Sequence, residues 1–267
     1  MSKNTRCEKL DKDWVRNFVN KWERRHDAWA KGGQYKRNDG QKFRDFSELK
    51  TCFRERLLSD WRDSLAFFID RATYQGFGDQ NAEIVSRYMT DKIYESHLPR
   101  EYSKGSQDEV AHKIGEITRS FCEEKSSDHF TTIRWKTDIG RFASVVNYLM
   151  YFSDEKNFTK IVQNENYDQK ILRRFSYVGD KVINFYLKFL SLILELPDKL
   201  PIVVDTHVKQ SLVRHCLVDE QEMNNLQMIK EKIISNAKRI GVTPIELETA
   251  LYEENFERYN RNRLSEN

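Results

Sequence analysis

The sequence predicts an all-α protein, and three observations predict it. Proline and glycine are scarce, four and ten in 267 residues, so little of the chain is marked for turns or breaks. Apolar residues recur at three- and four-residue steps through most of its length. The clearest break from helix is bracketed by Pro197 and Pro201, after which the apolar run Ile202-Val203-Val204 is expected to be extended. A chain of this length can bury a sizeable core in one or two domains.

Taken in order, the first helix is expected over 10–30. There Leu10, Trp14, Phe18 and Trp22 fall at four-residue steps, with Val15, Val19 and Trp29 beside them. Such a stripe faces a core; a base-stacking surface is the alternative. Lys31 to Gly40 reads as a glycine-bearing basic linker. Helices are expected over 46–58 and 60–73, the second carrying Trp61, Leu65, Phe68, Ile69 and Ala72 on one face. A loop with Gly76 and Gly78 follows, and Asp79 caps a helix running to about residue 96. Residues 97–108 form a connection, 107–124 a helix, 125–137 a polar irregular stretch, and 139–152 a helix with Phe142, Val145, Val146, Leu149 and Met150. Helices over 221–239 and 244–258 end the chain, the last capped by Thr243 with Pro244 at its first position.

Composition excludes several classes. Charged residues are 33%, yet the net charge is only +3, so any nucleic-acid surface must come from local clustering. Cys7, Cys52, Cys122 and Cys216 form no CxxC pair and no zinc or cluster spacing. They read as scattered free thiols, which suits a reducing cytoplasm. The charged N-terminus predicts no signal peptide. The run Phe189–Leu196 is too short to span a bilayer and contains Glu195. No HExxH, Gly-rich nucleotide loop or GxSxG elbow occurs, so no metal site is expected.

The informative stretch runs from Arg173 to Arg214. A turn, Ser176-Tyr177-Val178-Gly179-Asp180, interrupts two helical patterns. Gly179 reads as the source of a positive φ or of a close backbone approach, and Asp180 as an N-cap. A helix opening there points unpaired N–H groups outward, where they suit a phosphate. Val182, Phe185, Tyr186, Phe189, Leu190 and Ile193 bury one face of it. Lys181 lies at the edge of that face, where partial desolvation favours the neutral, nucleophilic amine. Beyond the apolar run, Asp205 caps a helix carrying Val208, Leu212 and Val213. A helix N-terminus stabilises its carboxylate. Arg173, Arg174, Lys209 and Arg214 could rim the site.

Tyr177-Val178-Gly179-Asp180-Lys181, followed by Val203-Val204-Asp205-Thr206-His207-Val208, resembles the helix-hairpin-helix DNA glycosylase superfamily. That family carries a Gly-x-Gly-x-Lys hairpin and then an apolar-apolar-Asp-Thr-His segment; Tyr177 stands where it has its first glycine. The resemblance implies two helical lobes with a DNA-binding groove between them. Residues 1–60 would pack with the C-terminal lobe, 61–182 would form the barrel lobe ending in the hairpin, and 183–267 the lobe carrying the catalytic Asp. It implies a glycosylase that flips a modified or damaged base of double-stranded DNA, with Lys181 attacking C1′ and Asp205 assisting departure. Abasic-site lyase activity through a Schiff base follows. Tyr177, Val178, Gly179, His207 and Lys209 would contact the DNA backbone, and Gln75 would fill the hole left by the extruded base. No cofactor is expected beyond the monovalent cation that often assists the family's hairpin; the four-cysteine iron–sulfur set of some relatives is missing. A monomer in the cytoplasm (nucleoid) or nucleus, without membrane attachment, fits this reading. Two alternatives stay open: excision of hypermodified phage bases in antiviral defence, and a non-catalytic helix-hairpin-helix DNA-binding protein. Phe256 and Tyr259 read as core aromatics that could otherwise stack on a flipped base.

Overall fold

A computed structural model of the chain describes residues 10–32, 40–72, 86–93, 107–125, 135–196 and 201–265, and their regular structure is entirely helical. In chain order these are α1 (Lys12–Gly32), α2 (Phe46–Ser59), α3 (Trp61–Ala72), α4 (86–93), α5 (Gln107–Lys125), a π-helical turn (Trp135–Ile139), α6 (Gly140–Tyr151), α7 (Phe158–Asn164), α8 (Gln169–Leu172), α9 (Asp180–Leu194), α10 (Thr206–Arg214), a 3₁₀ turn (Glu220–Asn224), α11 (Leu226–Ile240) and α12 (Pro244–Ser265). The loop holding Gln75, most of the basic linker after α1, the connection before α5, and most of the polar stretch after it lie outside the described residues.

Several boundaries differ from the sequence-based expectation for local reasons. The helix expected from 221 is split, because Asn225 accepts the Met228 N–H at 3.1 Å and starts α11 afresh after the 3₁₀ turn. Helix α7 was not expected, and the helical pattern before the turn 176–180 amounts to the four residues of α8. Asn157 and Asp168 cap these two helices, accepting from the Lys160 and Lys170 N–H groups. Thr243 does cap α12, in a reciprocal box with Glu246 (2.7 and 3.2 Å).

The chain divides into two compact units, one of residues 29–199 and one combining 1–28 with 200–267. The boundaries expected from the sequence lie at 60 and 182.

In the 29–199 unit, α3 is enclosed by α2, α7 and α9. Every residue from Asp63 to Ala72 is therefore buried, rather than one face. Its rings interlock with those of its neighbours: Phe68 lies 4.5 Å from Phe158 and 5.0 Å from Tyr186, centroid to centroid. Charges carried inside with α3 have partners, as burial requires. Asp63 meets Arg56 at 2.6 Å and also Arg87, and Asp70 meets Arg71 at 2.7 Å. Helix α9 is likewise buried on more than the one expected face, with Ile183, Asn184, Leu187 and Lys188 inside as well.

The other unit packs α10 and α11 on α12 around Val208, Leu212, Ile229, Ile233, Leu247 and Leu251. The α1 stripe faces this core: Val15 and Trp22 are buried, and Trp14 packs edge-on against His215 at 4.9 Å. Two ion pairs tie α1 to α12, Lys21–Glu257 and Arg25–Glu253, both 2.8 Å. Cys216 is not a free thiol, as the sequence suggested, but is disulfide-bonded.

Glu254 gathers the polar groups of this core. Ser211 Oγ donates to it, as do Arg214 Nη2 and His215 Nε2, both at 3.2 Å, and Arg258 pairs with its other oxygen. Burial alone would raise its pKa. The hydrogen bonds from His215 and Ser211, with the charges of His215 and Arg214, outweigh burial and hold the carboxyl down at about 2, against an ordinary 4.5. A depressed folded pKa adds stability that is fully present above the unfolded value and lost as pH falls toward the folded one. Urea unfolding midpoints should therefore fall between pH 4.5 and about 2, more steeply in wild type than in Glu254→Gln. Equal slopes in the two proteins would remove Glu254 from the acid sensitivity.

Candidate nucleic-acid interface

Helix α8, the turn 173–179 and helix α9 form a hairpin of two helices. Its conformation differs from the sequence reading in three places. Gly179 has φ −91°, and a Cβ added there meets nothing within 4 Å. It therefore supplies neither a positive φ nor a close approach, and it stands as the N-cap itself. Asp180 is the first helical residue instead of the cap, and its carboxylate pairs with Arg173 at 2.8 Å. Lys181 is exposed, so the expected partial burial at the apolar edge is not observed.

The positive φ belongs to Tyr177, at +61°. A side chain in the left-handed region costs ~1–2 kcal/mol, so other contacts must hold it. Arg141 does so from the first turn of α6. Its Nε donates to the Tyr177 carbonyl at 3.0 Å and its Nη1 to the Ala72 carbonyl, with the Asp138 carboxylate 3.6 Å away. The Ser176 N–H donates to Ser144 Oγ at 3.1 Å. The Tyr177 ring then lies over Gly140, where an added Cβ would come within 2.6 Å of Cε2. Arg141 and Gly140 were not singled out from the sequence; an arginine inside the apolar pattern of α6 was the available signal.

This turn leaves a surface suited to an anion. Gly179 makes no side-chain cap, and the first backbone bond of α9 is Ile183 N–H to Gly179 O at 3.1 Å. The N–H groups of Asp180, Lys181 and Val182 have no partner among the described residues. Val178 is buried and its N–H donates to Phe175 O, so it offers nothing outward. Along the hairpin Lys170, Arg173, Arg174 and Lys181 are exposed, with Tyr177 and the carboxylates of Asp168 and Asp180 among them. This is the local basic clustering that the near-zero net charge does not reveal. The Lys181 ammonium has no hydrogen bond or ion pair among the described residues.

In the other unit, residues 201–205 run without helix or strand into α10. Val203 is buried, and Asp205 caps the helix as expected, its Oδ1 accepting the Val208 N–H at 2.9 Å. Oδ2 has no partner among the described residues. Lys209 is half-buried with its ammonium unpaired among them. His207 sits edge-on among Tyr252, Tyr259 and Phe256, at 5.3, 6.0 and 6.2 Å. Phe256 is half-buried and carries Arg25 over its ring at 4.6 Å, while Tyr259 is 57% exposed. No group of three or more His, Cys, Asp or Glu that could hold a metal occurs among the described residues, and no helix among them is long and apolar enough to cross a membrane.

Compared with known proteins, the chain matches no family profile, no curated protein and no solved structure.

The Tyr177–Gly140 contact makes a testable pair. Gly140→Ala should cost ~1–3 kcal/mol, as overpacking does, and little or nothing once Tyr177→Gly has removed the ring. A double-mutant cycle by urea unfolding measures the coupling. The same cost in both backgrounds would mean that the ring does not rest on Gly140.

Proposed function

We propose that the protein is a DNA glycosylase that excises a modified or damaged base and cleaves the resulting abasic site through Lys181. The observation that carries this reading is the hairpin: an uncapped helix N-terminus with a lysine in its first turn, rimmed by exposed basic and aromatic side chains. An apolar segment ending in a carboxylate N-cap follows it in the chain. Phosphate binding at a helix start needs the amides alone; it needs neither Lys181 nor a free oxygen on Asp205.

Each group has a distinct task in the reaction. The hairpin amides hold a phosphate of the bent duplex, and the target nucleotide is turned out of the stack. The neutral amine of Lys181 forms a bond from Nζ to C1′. The electrons of the glycosidic C–N bond leave with the base, which takes up a proton. Opening of the sugar ring then gives a protonated imine, the Schiff base from which the strand is cleaved. Asp205 offsets the positive charge that develops at C1′ and accepts the proton lost by the amine.

A second reading is a non-catalytic DNA-binding protein. The observation favouring it is that Lys181 is exposed, while the Asp205 carboxylate already serves as a helix cap. A panel of duplexes, each with one modified base, separates the two. Incubated with the correct duplex and borohydride, the wild-type chain should become covalently linked to DNA and Lys181→Ala should not. Asp205→Asn keeps a good cap, so its stability should change by less than about 1 kcal/mol, while base release slows ~100-fold or more. Duplex binding without base release across the panel would establish the second reading. Wild-type excision by Asp205→Asn would reduce Asp205 to a cap.

A further inference from the structure

His207 is held by an amide whose orientation is fixed by chemistry. An arginine guanidinium has only donors, and Arg214 Nη1 lies 2.6 Å from the side-chain amide of Asn255. The Asn255 atom facing it must therefore be the oxygen. The amide nitrogen then lies 2.8 Å from His207 Nδ1 and 2.9 Å from Gln210 Oε1. Its two N–H groups meet two acceptors, and the buried amide is satisfied at both ends. His207 Nδ1 must accept, so it carries no proton. The proton of the neutral ring is on Nε2, which has no partner among the described residues. The rings of Tyr252, Phe256 and Tyr259 stand edge-on to the imidazole, at interplanar angles of 75°, 71° and 78°, and limit its rotation.

We propose that Asn255 is a positioning residue: anchored by Arg214, it holds His207 as the neutral Nε2–H tautomer, so that one uncharged donor is presented to a phosphodiester oxygen. The ligand half rests on the DNA reading above; the tautomer half does not. A neutral donor has a consequence that a cationic histidine lacks. It adds to affinity without neutralising a phosphate, so it releases no counterion.

Two measurements on the full chain test this. In ¹⁵N spectra of the imidazoles of the DNA-free protein at neutral pH, His207 should have an unprotonated Nδ1 and a protonated Nε2. In Asn255→Asp a carboxylate replaces the N–H donor, and Nδ1 should become protonated. A protonated Nδ1 in wild type, or averaging between tautomers, would overturn the assignment, and this spectrum needs neither DNA nor a variant. In the second measurement, binding of a duplex is followed against salt. His207→Ala should lose about tenfold in affinity with the slope of log K against log salt unchanged. A slope shallower by ~0.9 would mean that His207 binds as a cation, and unchanged affinity would remove His207 from the DNA surface. If the wild-type chain binds no duplex at any salt, the DNA reading and the ligand half fall together, while the spectrum still decides the role of Asn255.

Discussion

The 29–199 unit presents its hairpin through one buried guanidinium. Arg141 is inside the protein, where an unpaired cation would be prohibitively costly. Its charge is met by the Asp138 carboxylate and by the carbonyls of Tyr177 and Ala72. The bond to Tyr177 matters most for the proposed function. It fixes a residue in the left-handed region, and that residue sets the direction in which α9 leaves the turn. Ser144 and Gly140, from the same helix, complete the seat of the turn. The unpartnered amides of α9 thus stand on a supported loop.

This arrangement also accounts for how a tyrosine holds a positive φ at this turn. Glycine reaches a positive φ without cost. Tyr177 reaches it with help, and returns part of the cost through the contact of its ring with Gly140. The glycine that the sequence nominates, Gly179, uses no conformational freedom. What it contributes is the lack of a capping side chain, which leaves the first turn of α9 open.

Helix positions were legible in the sequence wherever an amphipathic stripe met a capping residue, as at Asp205 and Thr243. Less legible was how much of each helix is buried. Helices α3 and α9 are enclosed on several sides, and their charges are tolerated through partners such as Arg56 and Arg87, which are distant in the chain. Short helices α7 and α8 carry too few residues for a period and are set by Asn157 and Asp168. At the candidate site, Asp205 could be read from its place after an apolar run. Arg141 and Asn255 could not be assigned roles, because their partners come together only in the folded chain.

The proposed function requires the open amides at the start of α9 to grip a phosphate. Hydrogen exchange resolved to single amides tests it directly. Asp180, Lys181 and Val182 have no acceptor among the described residues of the protein alone and should exchange quickly. On adding a duplex their exchange should slow, and the protection should weaken as salt rises and the duplex dissociates. A bound duplex that leaves the exchange of these three amides unchanged would contradict the account.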